Sequence, residues 1–207
     1  MLRIGPIAVD PPVVLAPMAG VTNVAFRRLC RSYGAGLYVS EMVSARALVE
    51  GGARSARMSR FGDDEPCRSI QLYGVDPAVV GEAVRRLVEG AGVDHVDLNF
   101  GCPAPKVTRK GGGSALPLHP VLFARLVGAA VRSAGAVPVT VKMRIGVDDA
   151  HRTSVAAGRA AEAEGAAAVA LHARTAEQLY SGQARWDAIA ALKAHVTSIP
   201  VLGNGDI

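Results

Sequence analysis

Seven short clusters in this 207-residue chain set polar or charged side chains beside glycine or proline. They read Ala16-Pro17-Met18-Ala19-Gly20, Ser40-Glu41-Met42, Gln71-Leu72-Tyr73-Gly74, Asn99-Phe100-Gly101-Cys102-Pro103, Lys142-Met143-Arg144, His172-Ala173-Arg174-Thr175 and Gly203-Asn204-Gly205-Asp206. One such cluster says little; seven in this order say much more. Arg144, Arg174 and Tyr180 are expected on loops, where Arg can grip phosphate and Arg or Tyr can stack on a base. Lys106, Arg109 and Lys110 precede three glycines, which resembles an anion-binding loop. It is not a nucleotide-binding glycine loop, because no Gly-Lys-Ser/Thr follows at the right spacing. A mobile lid beside Cys102 that meets anions is the expected use. The three cysteines, Cys30, Cys67 and Cys102, are too few and too scattered for a disulfide framework or a zinc site, and no metal is expected.

Each cluster follows a short apolar run: Val13–Ala16, Leu37–Ser40, Ser69–Tyr73, His95–Phe100, Val137–Met143, Ala167–His172 and Pro200–Gly203. The runs lack clean alternation, as strands buried on both faces do. Helical patterns separate them. Asp76-Pro77 is an N-cap with proline at the first helical position, and Val80, Ala83, Val84, Leu87 and Val88 form the buried stripe up to Gly90 and Gly92. His119-Pro120 opens a second helix, with Leu122, Phe123, Leu126, Val127 and Ala130 inward. Thr22-Asn23 caps a third through Phe26 and Leu29, leaving Arg27, Arg28 and Arg31 as a basic cluster. Residues 152–164 and 186–196 supply two more. Strands alternating with helices make a parallel α/β fold. Polar residues after nearly every strand favour a (β/α)8 TIM-type barrel over a doubly wound sheet. Seven of its eight strands are expected in this chain.

Composition excludes other classes. Half the residues are hydrophobic and 20% are charged, which fits a folded core and not a disordered chain. No apolar run is long enough for a membrane helix, and Met1–Pro6 does not begin a secretory leader. A cytoplasmic, reducing compartment is expected. The net charge of +5 permits an RNA partner without demanding one.

From Ile4 to Ile207 the chain resembles the tRNA-dihydrouridine synthases, in particular the bacterial B-type branch. The most specific match is Asp97-Leu98-Asn99-Phe100-Gly101-Cys102-Pro103, followed by Lys106-Val107 and Arg109-Lys110-Gly111-Gly112-Gly113-Ser114-Ala115-Leu116. Leu15–Thr22 and Asn204–Ile207 match as well. The resemblance implies reduction of the uridine C5=C6 bond in tRNA, with hydride from reduced FMN, electrons from NADPH and a proton from Cys102. A thiol of ordinary pKa is only roughly 3% ionised at pH 7, so it is loaded as an acid. A nucleophilic role needs a lowered pKa and a histidine partner, and none lies nearby in sequence. The resemblance further implies that Asn99 pairs with uracil and that Lys142 stabilises the anionic reduced flavin. Gln71 and His172 are expected at the flavin edge. Pro17, Met18 and Ala19 approach the flavin by backbone, and Asn204, Gly205 and Asp206 lie toward its ribityl and phosphate end. Lys106, Arg109, Arg144, Arg174 and Tyr180 are assigned to RNA. Ala173 stands where the family usually has glycine. The family's eighth strand, its phosphate-binding Gly-Arg and its C-terminal helical tRNA-binding domain are expected to be missing. Weak FMN retention follows from that expectation. The rival readings are another FMN barrel oxidoreductase acting on a small molecule, and an inactive fragment.

Overall fold

The computed structural model describes residues 1–207. Two strands, β1 (Leu2–Ile4) and β2 (Ile7–Val9), pair antiparallel around a turn in which Gly5 has φ 56°. The sequence reading missed this hairpin, whose strands are three residues each.

Seven further strands form one parallel sheet: β3 (Val14–Leu15), β4 (Leu37–Ser44), β5 (Ser69–Tyr73), β6 (His95–Phe100), β7 (Val139–Arg144), β8 (Ala168–His172) and β9 (Val201–Asn204). Their spatial order is their sequence order, β3 through β9. A doubly wound sheet reverses its order at a switch point; a barrel does not. The sheet is therefore the wall of an incomplete (β/α)8 barrel, with β3 and β9 at its two edges.

The central strands correct the expectation that alternation is absent. β6 reads His95-Val96-Asp97-Leu98-Asn99-Phe100, and β7 reads Val139-Thr140-Val141-Lys142-Met143-Arg144. Val96, Leu98, Phe100, Val141 and Met143 point outward into a 29-residue core shared with the helices. His95, Asp97, Thr140 and Lys142 point the other way and line the barrel interior. Period-two polarity thus separates the site from the packing.

The helices are α1 (Val24–Arg31), α2 (Ala45–Val49), α3 (Ala53–Met58), α4 (Pro77–Ala91), α5 (Pro105–Thr108), α6 (Pro120–Ala134), α7 (Ser154–Ala163) and α8 (Trp186–His195). No helix is long and apolar enough to cross a membrane. In α4 the Asp76 carboxylate accepts from the N–H of Ala78 and Val79, and Gly92 ends the helix at φ 60°. Its stripe Val80, Ala83, Val84 and Leu87 is buried as expected. So are Phe123, Leu126, Val127 and Ala130 of α6.

α1 departs from its reading. Leu29 is 55% exposed, and Arg27 is the buried residue. The Arg27 guanidinium donates twice to Glu65, each bond 2.8 Å, and once to the Thr22 carbonyl. It also lies over the Phe61 ring. Arg28 and Arg31 pair with Asp64, so the expected basic cluster is an ion-pair seam. Below the barrel, Ile4, Val9, Leu37, Val39 and Ala168 form a second small core that seats the hairpin against the sheet.

Candidate active site

The C-terminal ends of the strands meet around a cavity of about 260 Å³. It gathers Pro17, Met18 and Ala19 after β3, Gln71 from β5, and Asn99 and Cys102 from β6 and the turn after it. Lys142 and Arg144 from β7, His172 from β8 and Tyr180 complete it. Ten of the predicted site residues are therefore together. A larger cavity of about 520 Å³ shares Pro17 and Lys142 and runs down the barrel interior to the gap between β3 and β9.

The turn that carries Cys102 is built by hydrogen bonds. The Asn99 Oδ1 accepts from the N–H of Cys102 at 2.9 Å and of Gly101 at 3.3 Å. The Cys102 carbonyl accepts from the Ser114 N–H. Gly113 has φ 56°, and a Cβ there would collide with the Cys102 carbonyl oxygen. The glycine run after Lys110 is thus required by close packing against the cysteine turn. The segment expected as a lid is α5 followed by a 3-10 turn, Gly113–Leu118, anchored through buried Val107. Lys106 and Arg109 on it are exposed and make no ion pair.

Asn99 was expected to offer uracil a donor and an acceptor together. Its acceptor is already taken by two backbone N–H groups, and its Nδ2 donates to Gln71 Oε1 at 2.8 Å. One N–H remains for a ligand. Gln71 is buried, and its Nε2 donates to Asp97 at 2.7 Å, so it too retains one N–H.

Lys142 is half-buried, and its ammonium donates to Asn204 Oδ1 at 2.9 Å. No carboxylate pairs with it directly. Burial pushes its pKa down to about 8 against the field of Asp97, which raises it. A desolvated cation without a carboxylate partner suits an anionic ligand. Burial, then Arg144 and Lys142, pushes His172 down to about 3, so it stays neutral. Cys67, by contrast, is pushed up to about 11 by burial and lies away from this cavity.

The arginines were expected to be free rim cations. Arg144 is buried, and it donates to the carbonyls of Gly101, Thr175 and Leu179. Its guanidinium lies 5.7 Å from the centroid of the Tyr180 ring, which is 79% exposed. Arg174 is likewise buried: it pairs with both oxygens of Asp206 and with the carbonyls of Ser181 and Gly182. Asp206 also accepts from the Ala184 N–H. Arg174 and Asp206 therefore tie the loops after β8 and β9 together and are spent on each other.

Sequence reasoning missed Asp97, Thr140 and Glu41. Glu41 accepts from the Gly20 N–H at 2.7 Å and so shapes the turn after β3. The alternation in β6 was the available signal for Asp97.

Parallel strands in sequential order, with one polar cavity at their C-terminal ends, define a fold of the (β/α)8-barrel class. The solved structure described as "X-structure of a variant of NCR from zymomonas mobilis" supports the fold, with a TM-score of 0.52 at 14% identity over 98% of this chain and 84% of that one. The family model for dihydrouridine synthase (Dus) matches residues 14–207. A probable tRNA-dihydrouridine synthase of Mycobacterium tuberculosis is 61% identical over the whole chain, which spans 55% of that relative. The tRNA-dihydrouridine synthase B of Pseudomonas aeruginosa is 47% identical, again over the whole chain and over 61% of the relative. The chain belongs to the dihydrouridine synthase family, and it spans little more than half the length of these relatives.

Proposed function

We propose that the protein reduces a uridine of tRNA to 5,6-dihydrouridine in the cytoplasm. The observation that carries this reading is the placement of Cys102 and the desolvated Lys142 on one cavity in a chain of this family. When bound, FMN reduced by NADPH would supply the hydride for one carbon of the uracil C5=C6 bond. The Lys142 ammonium, beside Asn204, suits the negative charge of that reduced ring. Gln71 and His172, both on the cavity and both neutral, would each offer a polar hydrogen to the ring. Pro17, Met18 and Ala19 line the same cavity and would meet the ring there. The Cys102 thiol delivers the proton to the other carbon, as a general acid held in reach by its turn. Asn99 gives its free N–H to the base. Tyr180 offers a stacking face at the mouth, and the exposed Lys106 and Arg109 meet phosphates. The target base must leave its stack to enter, at a cost of roughly a few kcal/mol, which favours a loop uridine.

The test incubates the protein with FMN, NADPH and unmodified tRNA and reads dihydrouridine by mass spectrometry. Product from the wild type, and at least roughly 100-fold less from Cys102→Ala, supports the assignment. Turnover of free small enones with none on tRNA would overturn it.

A further inference from the structure

A chain of hydrogen bonds crosses the barrel interior beneath the cavity. At one end, Asn99 Oδ1 accepts from the N–H groups of Gly101 and Cys102. Backbone N–H groups can only donate, so the Asn99 amide cannot be turned round without losing both bonds. Its Nδ2 must then face Gln71, which must present Oε1, at 2.8 Å. Gln71 is left with its Nε2 toward Asp97, at 2.7 Å, and that contact requires an acceptor. The other carboxylate oxygen accepts from Thr140 Oγ1 at 2.6 Å. Thr140 in turn meets His95 Nε2 at 2.9 Å, and His95 Nδ1 meets Ser69 Oγ at 2.7 Å. From the Gly101 and Cys102 N–H groups to Asp97 every link has a single sense; on the far side of Asp97 the sense of the two histidine links follows the His95 tautomer.

We propose that Asp97 is a positioning residue: through the side-chain amides of Gln71 and Asn99 it holds the Gly101–Cys102 backbone, and with it the acid Cys102, in one orientation. It touches neither base nor thiol in this arrangement. The inference rests on the reading of Cys102 as the acid of uridine reduction, but the relay itself is a property of the folded chain.

The titratable groups facing Asp97 are Lys142 from β7 and His95 from its own strand. The interior cavity also receives Val14, Val39, Ala170 and Leu202 from β3, β4, β8 and β9, and none of these ionises. Burial pushes the Asp97 carboxyl up to about 6, opposed by its bonds to Thr140 and Gln71 and by Lys142. Burial keeps His95 down at about 4, so it is neutral where Asp97 changes charge.

The experiment follows the Asp97 carboxyl carbon and the backbone amides of Gly101 and Cys102 by NMR between pH 5 and 7. In the wild-type chain the two amides shift with the same midpoint as the carboxyl. In Gln71→Met the carboxyl still titrates and the amides no longer follow. In Asp97→Asn, an isosteric change, the amides are invariant with pH. In the tRNA assay the same Asp97→Asn variant loses tenfold or more in kcat, with KM for tRNA within twofold. Wild-type amides that ignore the titration of Asp97, amides that still follow it in Gln71→Met, or a wild-type kcat in Asp97→Asn would each overturn the proposal. Should Gln71→Met not fold, the wild type and Asp97→Asn decide it. A wild-type protein that forms no dihydrouridine sinks the functional reading, while the amide comparison still decides the relay.

Discussion

Buried titratable side chains set how this protein answers to acid. His95 and His172 are held down at about 4 and about 3, against an ordinary value of 6.5. Both stay neutral in the fold, while the unfolded chain takes up their protons below about pH 6.5. Their contribution is therefore present above that pH and is lost as pH falls toward 4. Asp97 acts in the opposite sense. Its raised value means that the fold holds a proton between 3.8 and about 6 that the unfolded chain has released. Two histidines outweigh one carboxyl. The denaturant midpoint should fall from pH 6.5 to pH 4.5, less steeply in His172→Gln and more steeply in Asp97→Asn. A flat profile, or the reverse order of the variants, contradicts these assignments. At this scale the sequence was readable where a motif is contiguous. Asn99, Gly101 and Cys102 stand within four residues and form one turn. Arg144 was misread because its acceptors, the carbonyls of Gly101, Thr175 and Leu179, come from separate loops. Nothing local to a strand-terminal arginine announces three distant carbonyls.

Elements position the site through two devices, one ionic and one steric. The Arg27–Glu65 pair, with side chains 1% and 2% exposed, pins α1 to the segment before β5. Removing one partner of a buried pair strands the other charge and costs about 3–5 kcal/mol, while an apolar replacement of both is often tolerated. Glu65→Ala should accordingly lower stability by about 3 kcal/mol in urea denaturation. The double variant Arg27→Met/Glu65→Leu should recover most of that loss. Recovery that fails would mean the pair specifies the local conformation and not only its own neutrality. The steric device is Gly113, at φ 56° against the Cys102 carbonyl. Gly113→Ala adds a left-handed strain of about 1–2 kcal/mol and a collision with the cysteine turn. On the proposed reading, dihydrouridine formation should fall far more than unfolding stability, because the collision falls on the backbone of Cys102. A variant that loses both equally would show that the 3-10 turn is merely structural. The helices α4 and α6 were legible because their caps and apolar stripes agree. The β1–β2 hairpin was not, since three-residue strands carry too few positions for periodicity to show.

Across the whole molecule, charge is distributed unevenly between pairing and display. The net excess is +5, yet many outer arginines are already neutralised. Arg85 pairs with Glu82 and Glu89, Arg86 with Glu82, and Arg46 with Glu50 and Asp76. Lys106 and Arg109, a few residues from Cys102, are exposed and make no ion pair. A polyanion displaces counterions where it meets free cations. Arg54, Arg57, Arg60, Arg125 and Arg159 are also exposed without ion pairs, but Lys106 and Arg109 stand beside Cys102 in sequence, so they should carry part of the salt dependence of RNA binding. Each lost phosphate contact lowers the slope of log affinity against log salt by about 1. The double variant Lys106→Gln/Arg109→Gln should thus reduce the slope for tRNA by about 2 and weaken binding to all tRNA sequences alike. Arg85→Gln/Arg86→Gln, an equal loss of charge on the α4 face, should leave the slope unchanged, because those guanidiniums are held by Glu82 and Glu89. If both pairs of substitutions lower the slope equally, the protein attracts RNA through its net field, and the segment after Cys102 is not a contact surface.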